Sequence, residues 1–160
     1  MKKIFLSSVI STLLLLSACN NTLTEPRSFS LVKKENLRDP SLTKKVKAKI
    51  EKDEFVDLKV DDFKEIQAYL AGERPIEEKH AVDFRVLMYR FYSQVKVEGG
   101  NLVCSARSGS EIGISEDVFQ LYKAELSRLN DDITKMKEGD RLDEETLRKN
   151  LEEQVKQLIE

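Results

Sequence analysis

Apolar residues recur at three- and four-residue spacing in five stretches of the chain, and each stretch predicts an amphipathic helix. The first begins at Asp39-Pro40, where aspartate suits the N-cap and proline the first helical position. The third begins at Ala81 and has the strongest stripe, which predicts the central core helix. Because it is rich in Val, Phe and Tyr, a continuous β-strand is the alternative. The predicted helices begin at Asp39, at Asp61 or Asp62, at Ala81, at Ser115 and at Asp143.

The fourth predicted helix carries apolar residues at alternating spacings of three and four, which is a heptad pattern. A short connection, Gly139–Leu142, separates it from the last helix, so the two are predicted to form an antiparallel helical hairpin. The heptad seam packs either on the apolar stripe of the last helix or on another chain. It consists of Phe119, Tyr122, Leu126, Leu129, Ile133 and Met136.

Alternating residues predict short strands between these helices. Gly99-Gly100 supplies the positive φ angles of a two-residue turn and predicts a β-hairpin, and a turn at 107–110 returns the chain as a third strand. An earlier strand would place Val56, Leu58 and Val60 on one side. The predicted strands are 55–60, 94–98, 101–105 and 111–114. The fold class is therefore α+β and mostly helical, with a small antiparallel hairpin-based sheet followed by the C-terminal antiparallel helical hairpin.

The first nineteen residues follow a different pattern. Met1 and two lysines precede the apolar run Ile4–Leu16, and Leu16-Ser17-Ala18 leads directly to Cys19. A basic start, about a dozen apolar residues and small residues before a processing site are typical of an export signal. The run is shorter than an ordinary membrane-spanning helix, and an uncleaved N-terminal anchor is the alternative.

This segment resembles the signal peptide of bacterial lipoproteins, with Leu-Ser-Ala-Cys as its lipobox. The resemblance implies cleavage before Cys19 and several acyl chains on that residue, which hold a protein durably at a membrane. It implies a bacterial cell membrane location facing the exported side. By the sorting rule of that family, Asn20 rather than aspartate after the cysteine implies the outer membrane if the cell has two. Residues 1–18 are then a cleaved signal peptide, residues 19–38 a lipidated N-terminus with a flexible polar tether, and residues 39–160 a single globular domain.

Charge limits the classes of partner. Residues 19–160 contain 25 basic and 29 acidic side chains, a net charge of −4, with both signs interspersed. This balance argues against nucleic acid, which selects a basic face. One helix face is basic and either contacts phospholipid headgroups or an acidic partner, or is simply solvated. It consists of Lys44, Lys45, Lys47, Lys49 and Lys52.

Few residues are suited to catalysis or metal binding. His80 is the only histidine, and its acidic neighbours Glu77, Glu78 and Asp83 are merely adjacent in sequence. Neither a GxSxG motif nor a phosphate-binding glycine loop occurs in the sequence. One acidic group lacks the glycine and polar spacing of a calcium loop. It consists of Asp57, Asp61, Asp62 and Glu65. We therefore expect no enzymatic activity, no cofactor and no metal.

The second cysteine, Cys104, follows Leu102-Val103 and has no CxxC partner. We expect it to be a small apolar residue facing the core. An intermolecular disulfide or a reactive thiol is the alternative in an exported protein.

These observations predict a lipid-anchored, non-enzymatic accessory lipoprotein that is held at the membrane by acyl chains on Cys19 and binds another envelope protein. One alternative is an inhibitor or immunity-type protein of an exported hydrolase. Its partner-contact loop would consist of Arg107, Ser108, Gly109, Ser110 and Glu111. The other alternative is a small-ligand carrier with a cavity lined by Phe84, Leu87, Met88 and Phe91.

Overall fold

A computed structural model of the chain describes residues 40–70, 73, 75–136 and 142–160. The predicted signal peptide, Cys19 and the predicted tether lie outside the described residues, so the lipobox and its acylation stay predictions. Five α-helices and two strands fall within the described part. They are α1 Pro40–Glu51, α2 Phe63–Leu70, α3 Glu78–Tyr92, β1 Val95–Glu98, β2 Asn101–Cys104, α4 Glu116–Lys135 and α5 Glu144–Gln157.

The predicted fold class is confirmed: the domain is mostly helical α+β, with a two-stranded antiparallel sheet followed by a C-terminal helical pair. Strands β1 and β2 pair with Val97 opposite Leu102. The turn between them has φ of 58° at Gly99 and 78° at Gly100, as the sequence predicts. The stretch from Ala81 is helical, and α3 ends at Tyr92 before β1 begins.

The predicted third strand is wrong. Residues Gly109–Ile112 form a short 3₁₀ turn, and Ile114 makes a single parallel bridge to Val56 instead of joining β2. The carbonyl of Gly113 accepts hydrogen bonds from the Val56 backbone and the Arg90 side chain, which turn this peptide towards α3. The strand predicted over 55–60 is correspondingly reduced to that one bridge.

Helix α3 is the centre of the core. Its residues Phe84, Leu87, Met88 and Phe91 are at most 1% exposed. The Phe91 ring lies 5.2 Å from that of Tyr122 on α4, a separation typical of stabilising aromatic pairs. The four residues assigned to a carrier cavity are therefore packed core residues.

Three charged side chains of α3 are buried as well, and each ties another segment to this helix. Asp83 pairs with Lys49 of α1. Arg85 donates from Nε and Nη2 to the Leu158 carbonyl, at 3.1 and 2.7 Å, and so holds the end of α5. Arg90 reaches the Gly113 carbonyl. Buried charges are tolerated only where such partners satisfy them.

The two C-terminal helices pack against different strands of the hairpin. Helix α4 contacts β2, whereas α5 contacts β1 and α3. Phe119, Tyr122, Leu126 and Leu129 of the heptad seam are buried at 0–4% exposure. These four residues are thus covered inside the domain, where the aromatic core and the hairpin, rather than the last helix, are the principal partners of α4, while Ile133 and Met136 are half-buried.

Asn130 of α4 closes the outer edge of β2. Its Oδ1 accepts the Leu102 N–H at 2.7 Å, and its Nδ2 donates to the Leu102 carbonyl at 2.8 Å. One side-chain amide therefore makes the two hydrogen bonds that a third strand would make to this residue. An edge satisfied in this way is protected from pairing with another chain.

Candidate interaction surface

The loop predicted to contact a partner, Arg107–Glu111, is held by its own hydrogen bonds. The Arg107 N–H donates to Glu111 Oε2 at 2.8 Å, and the Ser108 and Ser110 hydroxyls lie 2.9 Å apart. Arg107, Ser110 and Glu111 are exposed, whereas Gly109 is buried. The loop therefore presents three side chains from a fixed backbone.

Gly109 anchors this loop to the start of α4. Its N–H donates to Glu116 Oε2 at 2.7 Å. Hydrogen bonds from the Gln120 side chain and then from Gly109 lower the pKa of the Glu116 carboxyl below its usual value. A Cβ at Gly109 would lie 2.7 Å from the Ile114 carbonyl oxygen, so the close approach requires glycine.

An extended segment, Phe55–Lys59, is hydrogen-bonded to the chain just after the loop, at Gly113 and Ser115. The Val56 N–H donates to the Gly113 carbonyl at 2.8 Å, and the Ser115 hydroxyl donates to the Leu58 carbonyl at 2.8 Å. Val56 and Leu58 are buried at 0% and 1% exposure, so their neighbours point outward.

The outward side carries the two large apolar residues with the highest fractional exposure in the described part. Phe55 is 54% exposed and Val60 is 45% exposed. The sequence pattern placed Val60 with the inner residues, but the chain turns into the 3₁₀ helix Val60–Asp62 and exposes it. We name this region the Phe55 surface, formed by Phe55, Asp57, Lys59, Val60 and Asp61.

Arg90 fixes the base of the Phe55 surface. The Arg90 side chain is 8% exposed, and its guanidinium donates to Gly113 O at 3.0 Å and, at 3.2 Å, to Oδ1 of Asp53, which is itself 91% exposed. Asp53 has a φ of 50°, a left-handed conformation that aspartate adopts more readily than most residues. One buried cation therefore ties together the chain before Phe55 and the chain after the loop.

The segment that carries the Phe55 surface is acidic. Residues 51–62 contain six acidic and two basic side chains, a net charge of −4. Within the described residues Glu54 pairs with Lys52 and Asp53 with Arg90, whereas Asp57 and Asp61 have no ion-pair partner. Two unneutralised carboxylates thus lie beside the exposed apolar residues.

The basic face of α1 is largely neutralised by ion pairs. Lys45 pairs with Glu78, Lys49 with Asp83 and Lys52 with Glu54. Lys44 and Lys47 remain exposed. This pairing favours the solvated-face interpretation over contact with headgroups or an acidic partner.

His80 lies in the first turn of α3, with Nδ1 3.8 Å from Oε2 of Glu65 on α2. This nitrogen is buried and has no hydrogen-bond partner among the described residues. Asp62, from the same acidic group as Glu65, instead accepts the Lys59 N–H at 2.8 Å. Across the described ranges, His, Cys, Asp and Glu nowhere form a group of three suited to a metal ion.

Cys104 is half-buried at the end of β2, opposite Val95. Burial raises the pKa of its thiol, which favours the less reactive protonated form. Its Sγ lies 3.9 Å from the Ala106 carbonyl. The prediction of an apolar role therefore agrees with its surroundings, although the residue is not fully enclosed.

Sequence reasoning selected the loop but not Phe55, whose segment is hydrogen-bonded to Gly113 and Ser115 just after that loop. The available signal was the alternation itself, because a strand with Val56 and Leu58 inward places Phe55 among polar outward residues. Exposed aromatic residues are enriched at protein interfaces, so this position is a candidate contact site.

Comparison of the chain with protein-family models, curated proteins and solved structures gives no significant match. Among the helices of the described ranges, none combines the length and the apolar character needed to cross a bilayer.

Proposed function

We propose that this chain is a lipid-anchored bacterial envelope lipoprotein whose folded domain is a non-enzymatic accessory protein. In this proposal acyl chains on Cys19 hold it at the membrane, and the domain binds another envelope protein. The binding site is the Phe55 surface together with the loop Arg107–Glu111.

The observation that carries the binding site is the 54% exposure of Phe55 on a backbone that is hydrogen-bonded on both sides of it. Aromatic residues exposed on a fixed surface are the usual anchors of protein interfaces. A surface that is already ordered loses little conformational entropy on binding. These properties support a docking site for a protein.

The fixed loop supports a narrower version of this function, in which the bound envelope protein is an exported hydrolase and the chain inhibits it. The internal hydrogen bonds of the loop would let Arg107 and Ser110 enter an enzyme cleft without a large ordering cost. A hydrolase recovered with the loop at its active site would establish this version.

The membrane anchor is tested by labelled-palmitate incorporation in the native cells. We expect label in the wild-type chain and none in Cys19→Ala. Equal labelling of the two would remove the anchor from the proposal.

The binding site is tested by a photo-crosslinking amino acid placed at Phe55, at Ser110 and at Val103. Val103 is the matched control, since it is also apolar and 40% exposed but lies on β2. We expect adducts with one envelope protein from positions 55 and 110 and not from 103. If 55 and 110 give no protein adduct, this binding function is wrong.

A further inference from the structure

The segment that carries Phe55 has a net negative charge. The net charge of −4 on residues 51–62 equals that of residues 19–160 together. The hydroxyl of Ser115 donates to the Leu58 carbonyl and brings the exposed Glu116 and Asp117 to the same region. A partner therefore meets exposed apolar groups bordered by carboxylates, with Lys59 as the single basic side chain of the Phe55 surface.

We propose that the partner segment recognised by the Phe55 surface is cationic and amphipathic, with lysine or arginine side chains flanking apolar ones. This inference rests on the proposed function and specifies the chemistry of its binding site. Apolar partner side chains cover Phe55 and Val60, and basic ones meet Asp57 and Asp61.

The physical case has two parts. Covering Phe55 and Val60 removes apolar surface from water and supplies affinity, whereas the carboxylates select the sign of the partner and speed its approach. Asp57 and Asp61 have no ion pair with any other described residue, so a basic partner need not displace an existing one. The interaction is therefore expected to weaken as salt screens these charges.

The same charges disfavour other occupants. An anionic lipid surface would be repelled by the carboxylates around Phe55. A second copy would place this acidic surface against its own equivalent in a two-fold contact, again with like charges opposed. A cationic protein segment is the partner that both the apolar and the acidic groups accommodate.

The inference is tested with the full lipidated chain in nanodiscs of zwitterionic phosphatidylcholine, and empty nanodiscs serve as the blank. Three fluorescent 12-residue peptides are titrated by anisotropy: one of lysine and leucine, one with glutamate replacing lysine, and one with serine replacing leucine. We expect the lysine–leucine peptide to bind at least about tenfold more tightly than either of the others. Its affinity should fall several-fold between 50 and 300 mM salt.

Variants locate the binding. Phe55→Ser should weaken binding of the lysine–leucine peptide about tenfold, whereas Val103→Ser should change it less than about twofold. The double variant Asp57→Asn/Asp61→Asn should weaken it about three- to tenfold and flatten its salt dependence. Glu152→Gln/Glu153→Gln on α5 makes the same change in net charge at exposed positions elsewhere and should leave binding unchanged.

Two results overturn the inference: equal binding of the glutamate–leucine peptide, or lysine–leucine binding that Phe55→Ser does not alter. If either occurs while position 55 still crosslinks to an envelope protein in cells, the binding function stands and the partner chemistry is wrong. If position 55 crosslinks only to a second copy of the chain, the cationic partner is also wrong. If positions 55 and 110 give no adduct, the binding function itself falls, whatever the peptides show.

Discussion

Replacing Asn130 should expose how much of the domain's stability depends on closing the edge of β2. The amide makes two hydrogen bonds to Leu102, of 2.7 and 2.8 Å, and both are partly shielded from water. A net contribution of about 0.5–1.5 kcal/mol per bond gives a loss of about 1–3 kcal/mol for Asn130→Ala. Partial exposure of the site favours the lower half of that range.

Asn130→Asp separates the contribution of the hydrogen bonds to stability from that of side-chain packing, because the two side chains have nearly the same shape. The carboxylate still accepts from the Leu102 N–H, but its second oxygen faces the Leu102 carbonyl and no longer donates. We expect a loss at pH 7 at least as large as that of the alanine variant. Protonation restores a donor, so the deficit relative to wild type should shrink towards pH 3.5.

The assay is urea unfolding of both variants, together with hydrogen exchange of the Leu102 amide. Asp131→Ala is the control, because it changes the next, exposed residue of the same helix and should stay within about 0.5 kcal/mol of wild type. Two results together would refute the reasoning that Asn130 closes the edge of β2. They are a loss below about 0.5 kcal/mol for Asn130→Ala and a Leu102 amide that exchanges as fast in wild type as in the variant.

Three further substitutions probe the core and the loop. Gly113→Ala should destabilise the domain by at least about 1 kcal/mol more than Gly99→Ala in urea unfolding. Both glycines have a positive φ, but only a Cβ at position 113 would meet another side chain, Arg90 Nη1 at 2.4 Å. Equal losses for the two variants would contradict this. Burial, and secondarily the charge of Glu125, raises the pKa of the Tyr92 hydroxyl, so the folded state resists its ionisation. Stability should therefore fall as pH rises above about 10, by up to about 1.4 kcal/mol per unit, and Tyr92→Phe should reduce that slope. The lowered pKa of Glu116 makes stability depend on pH in the opposite direction. The stabilisation that this carboxylate provides is complete above about pH 4.3 and is lost as the pH falls. The Gly109 amide shift should follow this titration by NMR in wild type and in the control Asp117→Asn, but not in Glu116→Gln.

Signals in the local sequence correctly predicted the turns and helix ends that depend only on neighbouring residues. Gly99-Gly100 forms the expected turn, and the Asp143 carboxylate caps α5 by accepting the Thr146 N–H at 2.8 Å. The position of Ser115 at the start of α4 was equally predictable. Its hydroxyl, however, does not cap the helix but donates to the Leu58 carbonyl, which is distant in sequence. This hydrogen bond depends on the tertiary fold and could not be predicted from neighbouring residues.

What could not be predicted depends on contacts between distant segments. Nothing near Asn130 in the sequence indicates that its amide replaces a strand at Leu102, and nothing near Arg85 shows that it holds the end of α5. Residues 111–114 carry a reasonable strand pattern, but the Gly113 carbonyl is bound by Arg90 and Val56 instead of β2. Apolar alternation identifies an extended segment without identifying its partner.

The same contacts bear on the Phe55 surface, because an exposed phenylalanine on a loosely held segment would carry little information. Here the chain before it is tied through Asp53 to a buried arginine, and the chain after it is fixed by the Leu58 carbonyl. The same arginine binds Gly113, next to the loop Arg107–Glu111. One buried arginine, which is costly in a small core, therefore contacts both the chain before Phe55 and the chain after the loop. That arrangement is more readily explained if the exposed aromatic residue has to meet a partner in a defined position than if its exposure has no role.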